Sequence, residues 1–290
     1  MRLLRWALPG LLGLAVAAHA QLPPVTDARG RAVQLAQPAT RIVSLSPHIT
    51  EQLFAIGAGG LVVGAVEWSD YPDAAAAIPR VGSSSLINYE VVLRLDPDLV
   101  VVWRSGNGDQ VAARLEALGL PVFVQEPRTL EDIPADLARL GVLVARERQA
   151  AAVIGDFNAR IDQLRHTYSQ RPPVRVFQQI WNQPMITLNG EHLVTDIIRL
   201  CGGVNIFAEA PSLVVNTSLE AVLLKDPEVI VISEADGVPP DWVDDWLQWP
   251  AISAVANRQL YVIDPDLLHR HTPRIAEGAA QLCRYIDNAR

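Results

Sequence analysis

Short apolar runs rich in Val and Ile alternate along this chain with longer stretches whose apolar positions recur at helical spacing. That alternation is the pattern of parallel α/β units, in which buried strands are separated by covering helices. Strands are predicted at Arg41–Leu45, Leu61–Val66, Leu99–Trp103, Val122–Gln125, Val174–Ile180, Val229–Ser233 and Leu260–Ile263. Helices are predicted at Thr50–Ile56, Asp109–Leu118, His192–Leu200 and Pro273–Ala289. Between Leu130 and Tyr168 the pattern stays helical with few breakers after Pro134, until Arg171-Pro172-Pro173 ends it. This stretch predicts one long helix joining two halves.

The halves echo one another. Asn88-Tyr-Glu-Val-Val-Leu-Arg-Leu-Asp-Pro-Asp-Leu-Val-Val-Val-Trp103 aligns without a gap on Ser218-Leu-Glu-Ala-Val-Leu-Leu-Lys-Asp-Pro-Glu-Val-Ile-Val-Ile-Ser233. In each copy a capping residue (Asn88, Ser218) opens a short helix with a glutamate two positions on (Glu90, Glu220). Asp-Pro closes each helix and a buried strand follows. Leu120–Pro127 and Leu260–Pro265 continue the echo. The expected architecture is α/β, with two similar Rossmann-like lobes facing each other across a cleft. Ligands in such sheets bind beyond the carboxyl ends of the strands. The expected division is a leader at 1–20, an N-terminal extension at 21–40, an α/β lobe at 41–145, a linking helix at 146–170 and a second α/β lobe at 171–290.

The leader reading rests on Arg2 and Arg5, the apolar run Leu8–Ala18 and the small-x-small triplet Ala18-His19-Ala20, the marks of a cleaved secretory signal. No cysteine follows it to carry a lipid, so a soluble periplasmic protein is expected. The run is too short to span a bilayer, and no later segment reaches the roughly 20 apolar residues of a membrane helix. The chain is acidic, with 24 Lys+Arg against 32 Asp+Glu and a formal net charge of −8, and losing Arg2 and Arg5 makes it more so. Such a balance argues against nucleic acid or an anionic membrane as partner. The two cysteines, Cys201 and Cys283, read as a disulfide in an oxidising compartment, with two buried free thiols as the alternative. Neither has a second cysteine or a histidine at metal-ligand spacing.

Catalytic signatures are missing from the sequence: there is no Gly-x-Ser-x-Gly elbow, phosphate-binding Gly-rich loop or His-Glu-x-x-His helix. Candidate binding residues cluster instead where strands end. Trp68 lies beyond Val66, Trp103 ends its strand before Arg104-Ser-Gly-Asn107-Gly, and Trp181 follows Ile180. Three tryptophans at strand ends suit a large, flat, partly apolar ligand. Trp242, Trp246 and Trp249 are spaced for packing on one helix face. His48, after Pro47 at the mouth of the first strand, and His269 and His271, in the loop from Asp266, are candidates for contact with a metal ion or with a metal held in a macrocycle.

These segments resemble the periplasmic cobalamin-binding proteins of ABC importers, within the wider family that binds cobalamin, haem and ferric siderophores. The likeness runs from about Arg41 to the C-terminus. It is carried by Arg41-Ile-Val-Ser-Leu-Ser-Pro47, Trp68-Ser-Asp-Tyr-Pro72, Pro97-Asp-Leu-Val-Val-Val-Trp-Arg104 with Gly106-Asn107, Leu200-Cys-Gly-Gly-Val-Asn-Ile-Phe207, and Pro273-Arg-Ile275 with Gln281-Leu-Cys283. The resemblance implies a non-catalytic carrier in which one rigid helix bridges the lobes and Cys201 pairs with Cys283. It implies that cobalamin is the transported ligand and that the protein needs no cofactor of its own. By position it places Trp68 and Trp103 against the ligand, and Asp266, Leu267, Leu268, His269 and Arg270 in a loop touching the corrin side groups. Glu90 and Glu220 match acidic knobs that dock a monomeric binding protein onto arginines of a dimeric permease. Pro47, His48, Arg104, Asn107 and Trp181 complete the expected ligand set. Ser84 and Val214 stand where characterised cobalamin binders carry tryptophans, and Leu267 replaces a third aromatic. The expected pocket is thus less aromatic, with Trp181 the candidate replacement. Haem, siderophore or metal-ion binding by the same fold, and an enzyme using the cleft, are the rival readings.

Overall fold

The computed structural model describes residues 22–234 and 242–290, so the expected leader lies outside the described residues. Its centre is a pair of four-stranded parallel sheets. The first contains β1 (Ile42–Ser44), β2 (Val62–Ala65), β3 (Leu99–Trp103) and β4 (Val122–Gln125), ordered β2-β1-β3-β4. The second contains β5 (Val174–Gln179), β6 (Gly203–Asn205), β7 (Val229–Ser233) and β8 (Leu260–Ile263), ordered β6-β5-β7-β8. In both sheets the second strand lies at one edge, beside the first, and the third and fourth follow on the other side. The repeat seen in the sequence is therefore a repeat of topology. The strands β3 and β7 are its equivalent members, and each is buried because helices cover both faces of its sheet.

The helices that precede β3 and β7 show the same local physics. In Tyr89–Arg94 the Asn88 side chain accepts from the Val91 amide at 3.1 Å, and in Leu219–Lys225 the Ser218 hydroxyl accepts from Ala221 at 3.4 Å. Each cap satisfies one of the amides that a helix start leaves without a partner. After each helix an aspartate adopts a left-handed backbone, Asp96 at φ 46° and Asp226 at φ 42°, before the proline that bars continuation.

Residues 132–168 form two helices, Asp132–Leu143 and Glu147–Tyr168, where the periodicity predicts one. The turn passes through Ala145 at φ 52°, a break that neither Gly nor Pro announces. Gly141 lets the two helices fold back on each other, since a Cβ there would sit 2.9 Å from that of Ala150. The second helix, 22 residues and about 33 Å long at 1.5 Å per residue, packs on helix Asp132–Leu143 on one side and on helices Leu193–Leu200 and Ile275–Asp287 of the second lobe on the other. It buries Ala150, Phe157 and Ile161 in an apolar cluster that includes Leu53 and Phe123 of the first lobe and Val176 and Leu282 of the second. The lobes thus share a core, which opposes free hinge motion.

Ahead of the first sheet, Val25–Thr26 and Ala32–Val33 pair as an antiparallel ribbon, and Ala28 donates to the Val124 carbonyl of β4 at 2.8 Å. Cys201 and Cys283 form a disulfide between the end of helix Leu193–Leu200 and helix Ile275–Asp287. The shared-face expectation for the three C-terminal tryptophans needs correction. Helix Trp242–Leu247 stops before Trp249, and it is Trp246 that enters the core, donating from Nε1 to Gln179 Oε1 at 2.8 Å. No helix of the described residues is long and apolar enough to cross a membrane.

Candidate functional site

Where β1 ends, the chain turns through Ser44-Leu-Ser46 into helix Pro47–Ala55, with Pro47 at the first helical position. Ser46 occupies the N-cap, yet its hydroxyl pairs with His48 Nδ1 at 2.7 Å and caps no amide. His48 is buried, and its Nε2 has no hydrogen-bond partner among the described residues. Thr50 Oγ1 bonds Ser44 Oγ at 2.8 Å and Ser69 Oγ at 3.2 Å, while Arg80 Nη2 donates to the Ser69 carbonyl at 2.9 Å. This anchoring of Ser69 fixes its neighbour. Trp68 adopts φ 63° and is 75 % exposed. A bulky residue in the left-handed region is strained, and its surroundings must hold it there. The result is an indole presented to solvent instead of folded into the core.

Trp103 closes β3. Its backbone amide donates to Asn107 Oδ1 at 2.8 Å, and Asn107 Nδ2 donates to the carbonyls of Leu45 at 2.9 Å and Ser84 at 2.7 Å. Asn107 therefore ties together three loops at the carboxyl ends of the strands. The indole of Trp103 is half-buried, its ring 5.3 Å from that of His48 and 5.7 Å from that of His271, and its Nε1 is buried without a partner among the described residues.

The second lobe contributes the segment after β8. Asp264 caps helix Pro265–Leu268, accepting from the Asp266 amide at 2.8 Å, and His269, Arg270 and His271 follow. His269 Nε2 pairs with Ser233 Oγ of β7 at 2.8 Å. The His271 carbonyl accepts from Gln52 Nε2 of the first lobe at 2.6 Å, and the rings of His48 and His271 meet at 5.2 Å. His192, the N-cap of helix Leu193–Leu200, stands 6.2 Å from the rings of both His269 and His271. Burial holds all four histidines neutral. It lowers His48 to about 3, with the Arg270 charge assisting, His269 to about 3 with His192 assisting, and His192 to about 4. His271 is held well below the usual imidazole value by burial and then by the other three histidines.

A cavity of about 280 Å³ opens over this floor, lined by Pro47, His48, Trp68 and Trp103 from one lobe and Asp266, His269, Arg270 and His271 from the other, with Ser46 and Pro265 completing it. A larger depression of about 540 Å³ lies against Arg175, at the opposite end of β5, and is lined by the second lobe alone. The two-lobed cavity is at the carboxyl ends of β1, β3 and β8, where ligands bind in open α/β sheets.

Other expected ligand contacts are placed elsewhere. The Arg104 guanidinium pairs with Asp109 at 2.8 and 3.0 Å and does not line the cavity. Trp181 is 59 % exposed and donates to the Gln183 carbonyl at 3.1 Å, also outside the lining. Leu268 is fully buried in the core, Leu267 is absent from the lining, and Asn107 has its side-chain polar atoms engaged by backbone. Arg270 faces the cavity but is paired with Asp266 at 2.7 Å and Asp70 at 2.8 Å. Sequence reasoning does not single out Ser46, His192, Ser233 or Glu51: Ser46 meets its partner His48 two residues on, whereas the other three meet theirs from distant segments. No three His, Cys, Asp or Glu side chains among the described residues are grouped to hold a metal ion.

Comparison with known proteins gives this arrangement a family. The chain is 38 % identical over 256 residues to the vitamin B12-binding protein of Vibrio cholerae serotype O1, an alignment covering 87 % of this chain and 91 % of that protein. The crystal structure of the periplasmic vitamin B12 binding protein BtuF of Vibrio cholerae superposes with a TM-score of 0.81 at 36 % identity, over 87 % of this chain and 98 % of that one. The periplasmic heme-binding protein RhuT from Roseiflexus sp. RS-1 shares the fold, with a TM-score of 0.74 at 24 % identity over 87 % of this chain and all of that one. The family model described as periplasmic binding protein matches residues 42–267, the span that holds both sheets and the cavity lining as far as Asp266, and the chain belongs to that family.

Proposed function

We propose that this protein is a periplasmic, non-catalytic carrier that captures cobalamin or a related corrinoid in the cleft between its lobes and delivers it to an ABC importer permease. The observation that carries the reading is the paired wall of the cavity. An exposed, backbone-strained Trp68 and a half-buried Trp103 flank a floor of neutral histidines that both lobes assemble. Flat apolar surface with unpaired nitrogen atoms at its base suits a macrocycle carrying amide side groups, which offers apolar faces along with donors and acceptors. The similarity to named vitamin B12-binding proteins over most of the chain supports the same cargo. A siderophore with only oxygen donors is disfavoured, because Arg104 is paired with Asp109 and Arg270 with two aspartates. A bare metal ion is disfavoured by the lack of a three-ligand group among the described residues. A cavity lined within one chain supports a monomeric carrier.

The test is calorimetric titration with cyanocobalamin, with haemin in parallel. Stoichiometric submicromolar binding of cyanocobalamin is expected, and absence of any cobalamin signal overturns the reading. Trp68→Ala is expected to weaken that affinity about 10–100-fold, within the range of interface tryptophans. The thermal midpoint of the variant should be unchanged or slightly raised, since a smaller residue tolerates φ 63° better. Equal affinities for the variant and the parent would remove Trp68 from the site.

Delivery depends on Glu90 and Glu220. Both are exposed in the first turns of the equivalent helices Tyr89–Arg94 and Leu219–Lys225, one on each lobe. Hydrogen bonding from Ser218 and from the backbone holds the Glu220 carboxyl below its ordinary value, so it stays charged. Two like charges at symmetry-equivalent points suit a dimeric permease bearing a basic residue on each half. The double variant Glu90→Ala/Glu220→Ala is expected to keep its cyanocobalamin affinity and lose permease association in a pull-down with the reconstituted importer. Undiminished association would end this role.

A further inference from the structure

Where the lobes meet beside the cavity, acidic and basic side chains from opposite lobes are interleaved. Glu51, on helix Pro47–Ala55 of the first lobe, is 3 % exposed. Its carboxylate grips Arg274 of the second lobe through two bonds, Oε1 to Nε at 2.7 Å and Oε2 to Nη2 at 2.8 Å. Arg270 Nη1 lies 4.0 Å from the same carboxylate and pairs with Asp70 of the first lobe at 2.8 Å, while Arg270 Nε holds Asp266 at 2.7 Å. The Arg274 guanidinium also stacks over the Tyr71 ring at 3.5 Å. Three side chains of one lobe (Glu51, Asp70, Tyr71) thus hold two arginines of the other across sequence gaps of 200 to 223 residues.

We propose that Glu51 is a positioning residue of the cleft, the centre of an ion-pair latch that sets the angle between the lobes and the place of the Asp266–Arg270 segment. The inference deepens the cargo-binding reading and rests on it for its affinity arm alone. Two features argue for positioning over general stability. First, a buried ion pair contributes little net stability, because desolvation offsets its attraction; what the fork-to-carboxylate match supplies is orientation. A rotation of one lobe against the other would break both bonds at once. Second, the latch is continuous with the ligand cavity. Arg270, held by Asp70 and facing Glu51, lines that cavity beside Asp266 and His271, and Gln52, next to Glu51, bonds the His271 carbonyl. Without Glu51, Arg274 would lose its only carboxylate partner among the described residues, and the segment lining the second lobe's side of the cavity would be tied to the first lobe by Asp70 and Gln52 alone.

The latch is read out by interlobe distance. The described residues contain no free cysteine, so thiols introduced at the exposed positions Arg94 and Leu224, one on each lobe, can carry spin labels specifically. In the unliganded parent a single narrow distance distribution is expected. Glu51→Gln is expected to broaden it and to weaken cyanocobalamin binding about tenfold, mainly through slower association. The charge swap Glu51→Arg/Arg274→Glu should narrow the distribution again and recover most of the affinity, which a purely structural role would not predict. Asp70→Asn, which frees only Arg270 on the exposed side, should fall between parent and Glu51→Gln. A Glu51→Gln distribution identical to the parent's, or a charge swap as broad as the single variant, overturns the proposal. If Glu51→Gln fails to fold, Asp70→Asn decides: an unchanged distribution and affinity then overturns it. A protein that binds no cobalamin yet shows these distance changes would refute the cargo and leave the latch standing.

Discussion

Acidification from pH 7 to pH 4 is expected to lower the unfolding free energy by several kcal/mol, with most of the loss below pH 6.5. The cause is the histidine floor of the cleft. Burial displaces His48 from 6.5 to about 3, His269 to about 3 and His192 to about 4. A base whose folded value lies below its unfolded value binds more protons unfolded, so stability is full above the unfolded value and falls as pH drops toward the folded one. At about 1.4 kcal/mol per unit, one such histidine costs about 3 kcal/mol by pH 4. Asp136 works in the opposite direction. Burial raises its carboxyl to about 7, against the pull of Arg139, so the fold is relieved of part of that strain as pH falls from 7 toward 4. One carboxyl offsets about one histidine, and the remaining histidines carry the sign. Urea unfolding at pH 7, 6, 5 and 4 measures the effect, and Asp136→Asn should steepen it by removing the offset. Stability that is flat or rising between pH 6.5 and 4 would show that these rings are solvated when folded.

Replacing both cysteines, as Cys201→Ala/Cys283→Ala, is expected to lower stability by about 4–5 kcal/mol. The bridge spans 82 residues of sequence, and in the chain-entropy model a loop of that length restricts the unfolded ensemble by about this amount. Both side chains are fully buried, one at the end of helix Leu193–Leu200 and one within Ile275–Asp287, so the alanines also leave a small unfilled volume. The bridge lies within the second lobe and none of its residues lines the cavity. Cyanocobalamin affinity should therefore change little while the urea midpoint drops. A loss below about 1 kcal/mol would mean that the unfolded chain is already compact around these helices.

The cysteine pair was visible as an even count, and the resemblance named its partners. The histidine floor was visible only in part. His48, His269 and His271 stood at strand mouths and in one loop, but nothing local showed that His192, read as a helix start, would join them. Strands were legible to the residue where an apolar run was bounded by turn signals, as at Leu99–Trp103, Val122–Gln125, Val229–Ser233 and Leu260–Ile263. Gly203–Asn205 was not, because three residues give periodicity nothing to act on. The break at Ala145 was likewise silent, being imposed by packing of one helix on the next.

The sequence by itself determined the class of fold, the duplication of lobes, a helical stretch between them and the strand-end tryptophans. Each of these is written in local terms: hydrophobic periodicity, capping residues, Asp-Pro stops and a repeated segment. Only the tertiary structure decided which strand-end residues share one cavity. Trp68 and Trp103 line it with His48, whereas Arg104 turns to Asp109, Leu268 enters the core and Trp181 stands apart. It also decided that Glu51 meets Arg274 and that Arg270 answers to Asp70. The physical reason is reach. A side chain's partner is set by where two lobes place segments some two hundred residues apart, and no window along the chain contains both ends of such a pair.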